Sequence, residues 1–221
     1  MSIHSVRLFI GYDTRQPIAA TIAMHSVYRR SSVPVNMSPL VLETLPLTRK
    51  GLTQFTYARY LVPALSGFTG VSIFMDADML CLGDIAELFA YPLAYPEVDV
   101  FVVPHKKKFE RPSVMVFNNA RCTVLTAEYV QDATHPLFPL EWATSVGELP
   151  CEWNHLVGYD TPNPSAKIVH FTMGCPCWPE TIDCEFSEAW KAEAKHAMST
   201  VSFQALMGRS VHVQHMKKVG V

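Results

Sequence analysis

Residues 74–80 read FMDADML. The apolar run VSIF, from Val71 to Phe74, leads into Asp76 and Asp78, separated by Ala77 and followed by Met79 and Leu80. Such a run suits a strand. On an extended chain the side chains at i and i+2 project to one side, so the two carboxylates can converge. Converging like charges repel, and a divalent cation is the simplest compensation. In open α/β sheets ligands bind beyond the carboxyl ends of strands, which is where Asp76 falls. The structural alternative is a pair of loop acids capping the segment GDIAELF that follows.

Working outward, strand-like and helix-like segments alternate. VRLFIGYD reads as a first strand ending at a glycine turn, and Gln16 to Arg30 as a helix with Pro17 in its first turn. VPVNMSPLVLE is a second strand, and TQFTYARYLVPAL a helix that Pro63 bends or ends. After the acids, GDIAELF reads as a short helix, VDVFVV and SVMVFN as strands, and TVLTAEYVQDA and PCEWNHLVG as helical. AKIVHFT is a late strand, and a closing helix is expected from about Ser187 to Leu206. This alternation predicts an α/β layer fold, Rossmann-like, with a mixed, mostly parallel sheet flanked by helices. Residues 1–221 read as a single domain without repeats or linkers.

Of the 221 residues, 49% are hydrophobic and 17% charged, enough for a sizeable core and unlike a disordered chain. The formal charge of −2 gives no electrostatic case for nucleic acid. Lys106, Lys107 and Lys108 form the one basic cluster, readable as a solvated loop or as a contact to phosphate or anionic lipid. That leaves peripheral membrane contact open. MSIHSVRLFIGYD suits a first strand better than a signal peptide, and no apolar run approaches the roughly 20 residues a transmembrane helix needs. Six scattered cysteines lack disulfide-scaffold spacing and are expected as free thiols in the cytoplasm. Cys175 and Cys177, with His170 and Cys184, could be drawn as a zinc site, but one residue between paired cysteines is fewer than zinc sites use.

Hard oxygen ligands suit manganese or magnesium, with substrate phosphates completing the shell. A HAD-type phosphatase would want the acid pair on the first strand and Thr or Val where Leu80 stands. The phosphate-binding patterns G-x-x-x-x-G-K-[ST] and G-x-G-x-x-G do not occur.

Four blocks in order, FIGYDTRQ, TYARYLVP, FMDADML and KIVHFTMGCPCW, resemble the family 8 glycosyltransferases, the group of glycogenin and the bacterial lipopolysaccharide galactosyltransferases, with a GT-A fold. SVMVFNNARC and GELPCEWNHLVGYD are similar to blocks of short bacterial members. The resemblance implies a manganese ion on Asp76, Asp78 and His170. It implies that Tyr12 stacks on the nucleobase and Asp13 hydrogen-bonds it, and that Arg59 reaches the donor. Gly11, Asp76, Ala77, Asn118, Asn154 and Gly174 complete the implied nucleotide-sugar-binding set. Taken alone, His170 is a core histidine, Tyr12–Asp13 a turn after a strand, and Arg59 a salt-bridged helix residue.

Two departures stand out. The family's late block carries a lysine that contacts the diphosphate, and HFTMGCPCW has none. Neutralisation then falls to the metal, Arg59, the Gly174 backbone or the lysine cluster. Where the family has Asp-Gln before the helix asparagine, Leu149 and Pro150 precede Asn154, leaving Glu148 or Glu152 as catalytic candidates. HKKKFERPSV is also short for a segment that covers a donor. The expected activity is sugar transfer, with retention, from a UDP-linked donor to an unknown glycan, lipid-glycan or protein acceptor. A nucleotidyltransferase, a phosphatase and a non-catalytic nucleotide or sugar binder are the alternatives.

Overall fold

The computed structural model describes residues 5–105 and 108–200. Lys106, Lys107, the Lys108 side chain and the expected helix beyond residue 200 lie outside the described residues.

The main sheet has six strands: β1 (Val6–Gly11), β2 (Val35–Leu40), β3 (Val71–Met75), β5 (Val100–Val102), β6 (Val114–Asn118) and β7 (Val146–Glu148). Their order is β2-β1-β3-β6-β5-β7. Every strand runs in one direction except β6, which is antiparallel to both its neighbours. The expected mixed, mostly parallel α/β architecture is therefore the one observed. Central strands β1 and β3 are near-continuous apolar runs because helices and loops bury both faces. Pro39 falls on β2, the edge strand, where a missing N–H is tolerated.

A second sheet has three strands, β4 (Met79–Cys81), β8 (His155–Leu156) and β9 (Ile168–His170), in the order β4-β9-β8. The segment expected as one strand thus divides at the acids: β3 ends at Met75, residues 76–78 turn, and β4 enters the second sheet. β4 pairs antiparallel with β9 in a register that sets Met79 opposite His170.

Helix α1 (Pro17–Arg30) buries Ala19, Ala20, Ile22, Ala23 and Val27, and the Ser26 hydroxyl accepts the Cys81 N–H at 2.9 Å, tying α1 to β4. The other helices are α2 (Val62–Leu65), α3 (Ala90–Ala94), α4 (Ala127–Gln131) and α5 (Ser187–Thr200).

Two helical expectations need correction. TQFTYARYLVPAL holds a 3-10 turn at Ala58–Leu61 and then only the single turn α2, Val62–Leu65, with Pro63 in its first turn. Proline lacks the N–H that would continue the preceding turn. PCEWNHLVG holds a 3-10 turn at Cys151–Trp153, and then Asn154 at φ −160° swings the chain into β8. β7 carries no strand signal in VGE. Gly147 is required there because a Cβ would lie 2.4 Å from the Phe101 ring.

Candidate metal and donor site

The turn Asp76-Ala77-Asp78 lies at the carboxyl edge of the main sheet. The β4–β9 register brings His170 beside it, and Phe171 N–H donates to the Asp78 carbonyl at 2.9 Å. Asp76, Asp78 and His170 each offer a ligand atom, all within 4.8 Å of one another. Among the described residues this is the one grouping of three or more acid, histidine or cysteine ligands. His170 does not come together with Cys175, Cys177 and Cys184 in such a group, and all six cysteines are free.

Electrostatically the site is under-compensated. Asp76 and His170 are buried, and Ala77, also buried, keeps the turn small. Asp76 Oδ1 and Asp78 Oδ1 are buried oxygens without a hydrogen-bond partner. Arg59 Nη2 lies 3.0 Å from Asp76 Oδ1 and His170 Nε2 lies 3.4 Å from Asp78 Oδ1, ion-pair contacts that do not satisfy these atoms as hydrogen bonds. Burial pushes the Asp76 carboxyl up to about 6, with Arg59 opposing and Asp78 adding to the rise. Burial would depress His170, but Asp78, Asp76 and Glu110 outweigh it and carry the ring up to about 9. Orphaned buried oxygens are uncommon in folded proteins and call for a partner. Two carboxylate oxygens and an imidazole form a donor set that suits manganese or magnesium.

Arg59 is buried at 5% exposure, and its Nη1 donates to the Pro112 carbonyl at 2.8 Å while Nη2 faces Asp76. It therefore holds the first acid from behind. Tyr12 is half-buried after β1. The Asp13 carboxylate grips Arg15 at 2.9 and 2.6 Å, and that guanidinium keeps it below the usual carboxylate range. Gly11 is explained by packing, since a Cβ would stand 2.6 Å from the Phe55 ring. Gly174 has φ +114°, and its N–H is spent on the Phe171 carbonyl at 2.7 Å, so it is not a free donor for a diphosphate.

Three sequence candidates are not brought to the cluster. Asn118 pairs with Val71 at the opposite end of β3 and donates to the Pro96 carbonyl at 2.8 Å. It is five residues along the strand from Asp76, roughly 16 Å at the usual strand rise. Glu148 is exposed at the end of β7, three strands from β3, or about 14 Å at normal strand spacing. Glu152 sits on the turn before β8, where its carbonyl accepts the Lys167 N–H at 2.7 Å and its charge acts on Tyr91.

One site residue was missed. Glu110, 4% exposed, accepts hydrogen bonds from Ser113 Oγ at 3.0 Å and Thr172 Oγ1 at 2.5 Å, and lies 3.7 Å from His170 Nδ1. In sequence it is one charge in a polar loop.

No protein-family model matches the chain. It is 30% identical over 222 aligned positions to Protein CDI of Arabidopsis thaliana, covering 85% of each protein. Among solved structures it is similar to the WbbM bifunctional glycosyltransferase in its apo form, with a TM-score of 0.64 at 15% identity over 86% of this chain. It is also similar to the glycosyltransferase GlyE of Streptococcus pneumoniae, with a TM-score of 0.63 at 16% identity over 87% of this chain. A third likeness is to the galactosyltransferase LgtC in complex with donor and acceptor sugar analogues, with a TM-score of 0.60 at 11% identity, covering 86% of this chain and 96% of that one. The chain spans only 50% of WbbM and 60% of GlyE. The sheet and its flanking helices are thus those of a glycosyltransferase fold. No described helix is long and apolar enough to cross a membrane.

Proposed function

We propose that this chain, which belongs to the family of Protein CDI of Arabidopsis thaliana, is a metal-dependent glycosyltransferase using a nucleotide-sugar donor. The observation that carries this reading is the pair of orphaned buried oxygens on Asp76 and Asp78, converging with His170 at the carboxyl edge of a glycosyltransferase sheet. A bound manganese or magnesium ion would supply Lewis-acid stabilisation of the charge developing on the departing diphosphate, worth several kcal/mol in such sites.

The chain's own residues divide the remaining work. Asp76, Asp78 and His170 hold the cation, and Arg59 fixes Asp76. Tyr12 offers an aromatic face to the base, and Asp13, held by Arg15 and the Gln54 N–H, would exchange one of these bonds for a base N–H. UDP as the nucleotide, retention at the anomeric carbon and the family 8 assignment rest on the resemblance of the sequence blocks. The whole activity is assigned to one domain. Six free cysteines suit a reducing compartment, and the cytoplasm is the proposed location. The acceptor is proposed to be a glycan, free or on a lipid or protein.

A second reading, a non-catalytic nucleotide or sugar binder, is favoured by one observation: Glu148 and Glu152 do not reach the cluster, and neither is assigned as a nucleophile. One experiment separates the two. Incubation with a panel of UDP- and GDP-sugars plus Mn2+ should release nucleoside diphosphate by slow donor hydrolysis. Pyrophosphate release would indicate a nucleotidyltransferase, inorganic phosphate a phosphatase, and tight binding without turnover a binder.

A further inference from the structure

We infer that Glu110 and Asn154 are positioning residues that fix the ring orientation and tautomer of His170, making the short 3-10 turn Lys108–Ser113 the frame of the cation site. The inference rests on the metal reading above, and concerns residues to which no role at this histidine has been given.

The orientation of the Asn154 amide is determined by its surroundings. Its Nδ2 donates to the Glu110 backbone carbonyl at 3.0 Å, and a carbonyl can only accept. Oδ1 is therefore the atom 3.1 Å from His170 Nδ1, and being an acceptor it requires the proton on Nδ1. In the neutral ring this leaves the lone pair on Nε2, the nitrogen that faces Asp78. Asn154 is fully buried and is also gripped through its backbone, whose carbonyl lies 2.8 Å from His105 Nε2.

The Glu110 carboxylate stands behind the same Nδ1, at 3.7 Å, held there by Ser113 and Thr172. A carboxylate or carbonyl behind a ligating histidine orients the ring and raises its basicity toward the metal. The position also excludes Glu110 as a nucleophile, because it lies on the Nδ1 side of the ring while Asp78 lies on the Nε2 side. Both of its oxygens already accept hydroxyl hydrogen bonds.

The turn braces the other ligand too. The Ser113 carbonyl accepts the Asp76 N–H at 3.0 Å, and the Pro112 carbonyl accepts from Arg59, the residue beside Asp76 Oδ1. Asp76 and His170 come from different sheets, and one six-residue turn sets the distance between them.

The test is Mn2+ affinity of the full chain, titrated with Mn2+ alone and read by the paramagnetic resonance of free ion, beside the metal-free melting temperature. Glu110→Gln keeps the shape and one acceptor oxygen but removes the charge. It should lower Mn2+ affinity on the order of tenfold or more with little change in melting. Thr172→Val, which loosens the carboxylate, should show a smaller loss, and it decides the matter if Glu110→Gln does not fold. A purely structural role would lower the melting temperature and leave affinity per folded molecule intact, overturning the inference. Wild-type affinity in both variants, alongside lost affinity in Asp78→Asn, would overturn it while sparing the metal reading. No Mn2+ binding by the wild-type chain would remove both.

Discussion

Glu193 on α5 and the Asp76–Asp78–Glu110 group are acids withdrawn from solvent, Asp78 only in part, and they are balanced in opposite ways. Glu193, 1% exposed, receives His25 Nδ1 at 2.5 Å on one oxygen and Arg30 Nη1 at 2.8 Å and Arg29 Nη1 at 3.2 Å on the other. Burial works against its charge, but Arg30 and His25 prevail and hold it below the ordinary carboxylate range. One acid there meets three partners and pins α5 to α1. At the sheet edge three acids share Arg59 and His170, and two oxygens stay orphaned. A buried charge whose partners are all present is structural. A set short of positive charge is where the proposed cation would bind.

The largest expected effect breaks the structural half. Glu193→Gln should cost about 3 kcal/mol in urea unfolding, because the charge-assisted bonds from His25, Arg30 and Arg29 all converge on that buried carboxylate. Mn2+ affinity should not change. In the wild type the Glu193 contribution is fully present above its unfolded value of about 4.3 and is lost as pH falls through its lower folded value. A stability curve that is flat through that range would remove the contrast.

Asp78→Asn should do the reverse. Mn2+ affinity should fall on the order of 100-fold, at least the upper range for lost supporting groups. The unfolding midpoint should change little, since the lost ion pair to His170 is offset by relief of the repulsion with Asp76 at a half-exposed site. A large loss of stability would place Asp78 among the structural acids.

The pH dependence sharpens the comparison and corrects the value expected for a histidine in isolation, about 6.5. With the neighbouring acids raising His170 to about 9, a cation must displace its proton over the whole neutral range. Mn2+ affinity should therefore climb about tenfold per pH unit below that value and level off above it. Below about 6, Asp76 protonates as well and the slope should steepen. Calorimetry in matched buffers checks this, and a flat profile from neutral pH upward would mean that His170 is not a ligand.

The smallest effect lies at the base. Tyr12→Ala should weaken UDP binding on the order of 1 kcal/mol by loss of stacking, without altering Mn2+ affinity.

What was legible in the sequence was local. Strand β3 and its terminal acids announce themselves because an apolar run and an i, i+2 pair lie within ten residues. His170 enters only through the resemblance of the late block, since nothing in KIVHF shows that β9 will pair with β4. Asn154 misleads a helical reading because its side chain bonds Glu110 and His170 and pulls its backbone out of the turn. Arg59, which the resemblance places toward the donor, donates through Nη1 to the Pro112 carbonyl while Nη2 faces Asp76. Glu110 left no signal, because apart from Ser113 its partners Asn154, His170 and Thr172 come from distant parts of the chain.

The most direct test of the central claim is calorimetric titration of UDP into the wild-type chain and Asp76→Asn, each with Mn2+ and with chelator. Wild-type UDP affinity should depend on Mn2+, and Asp76→Asn with Mn2+ should bind no better than wild type with chelator. Equal UDP affinity in all four titrations, or none in any, would contradict it.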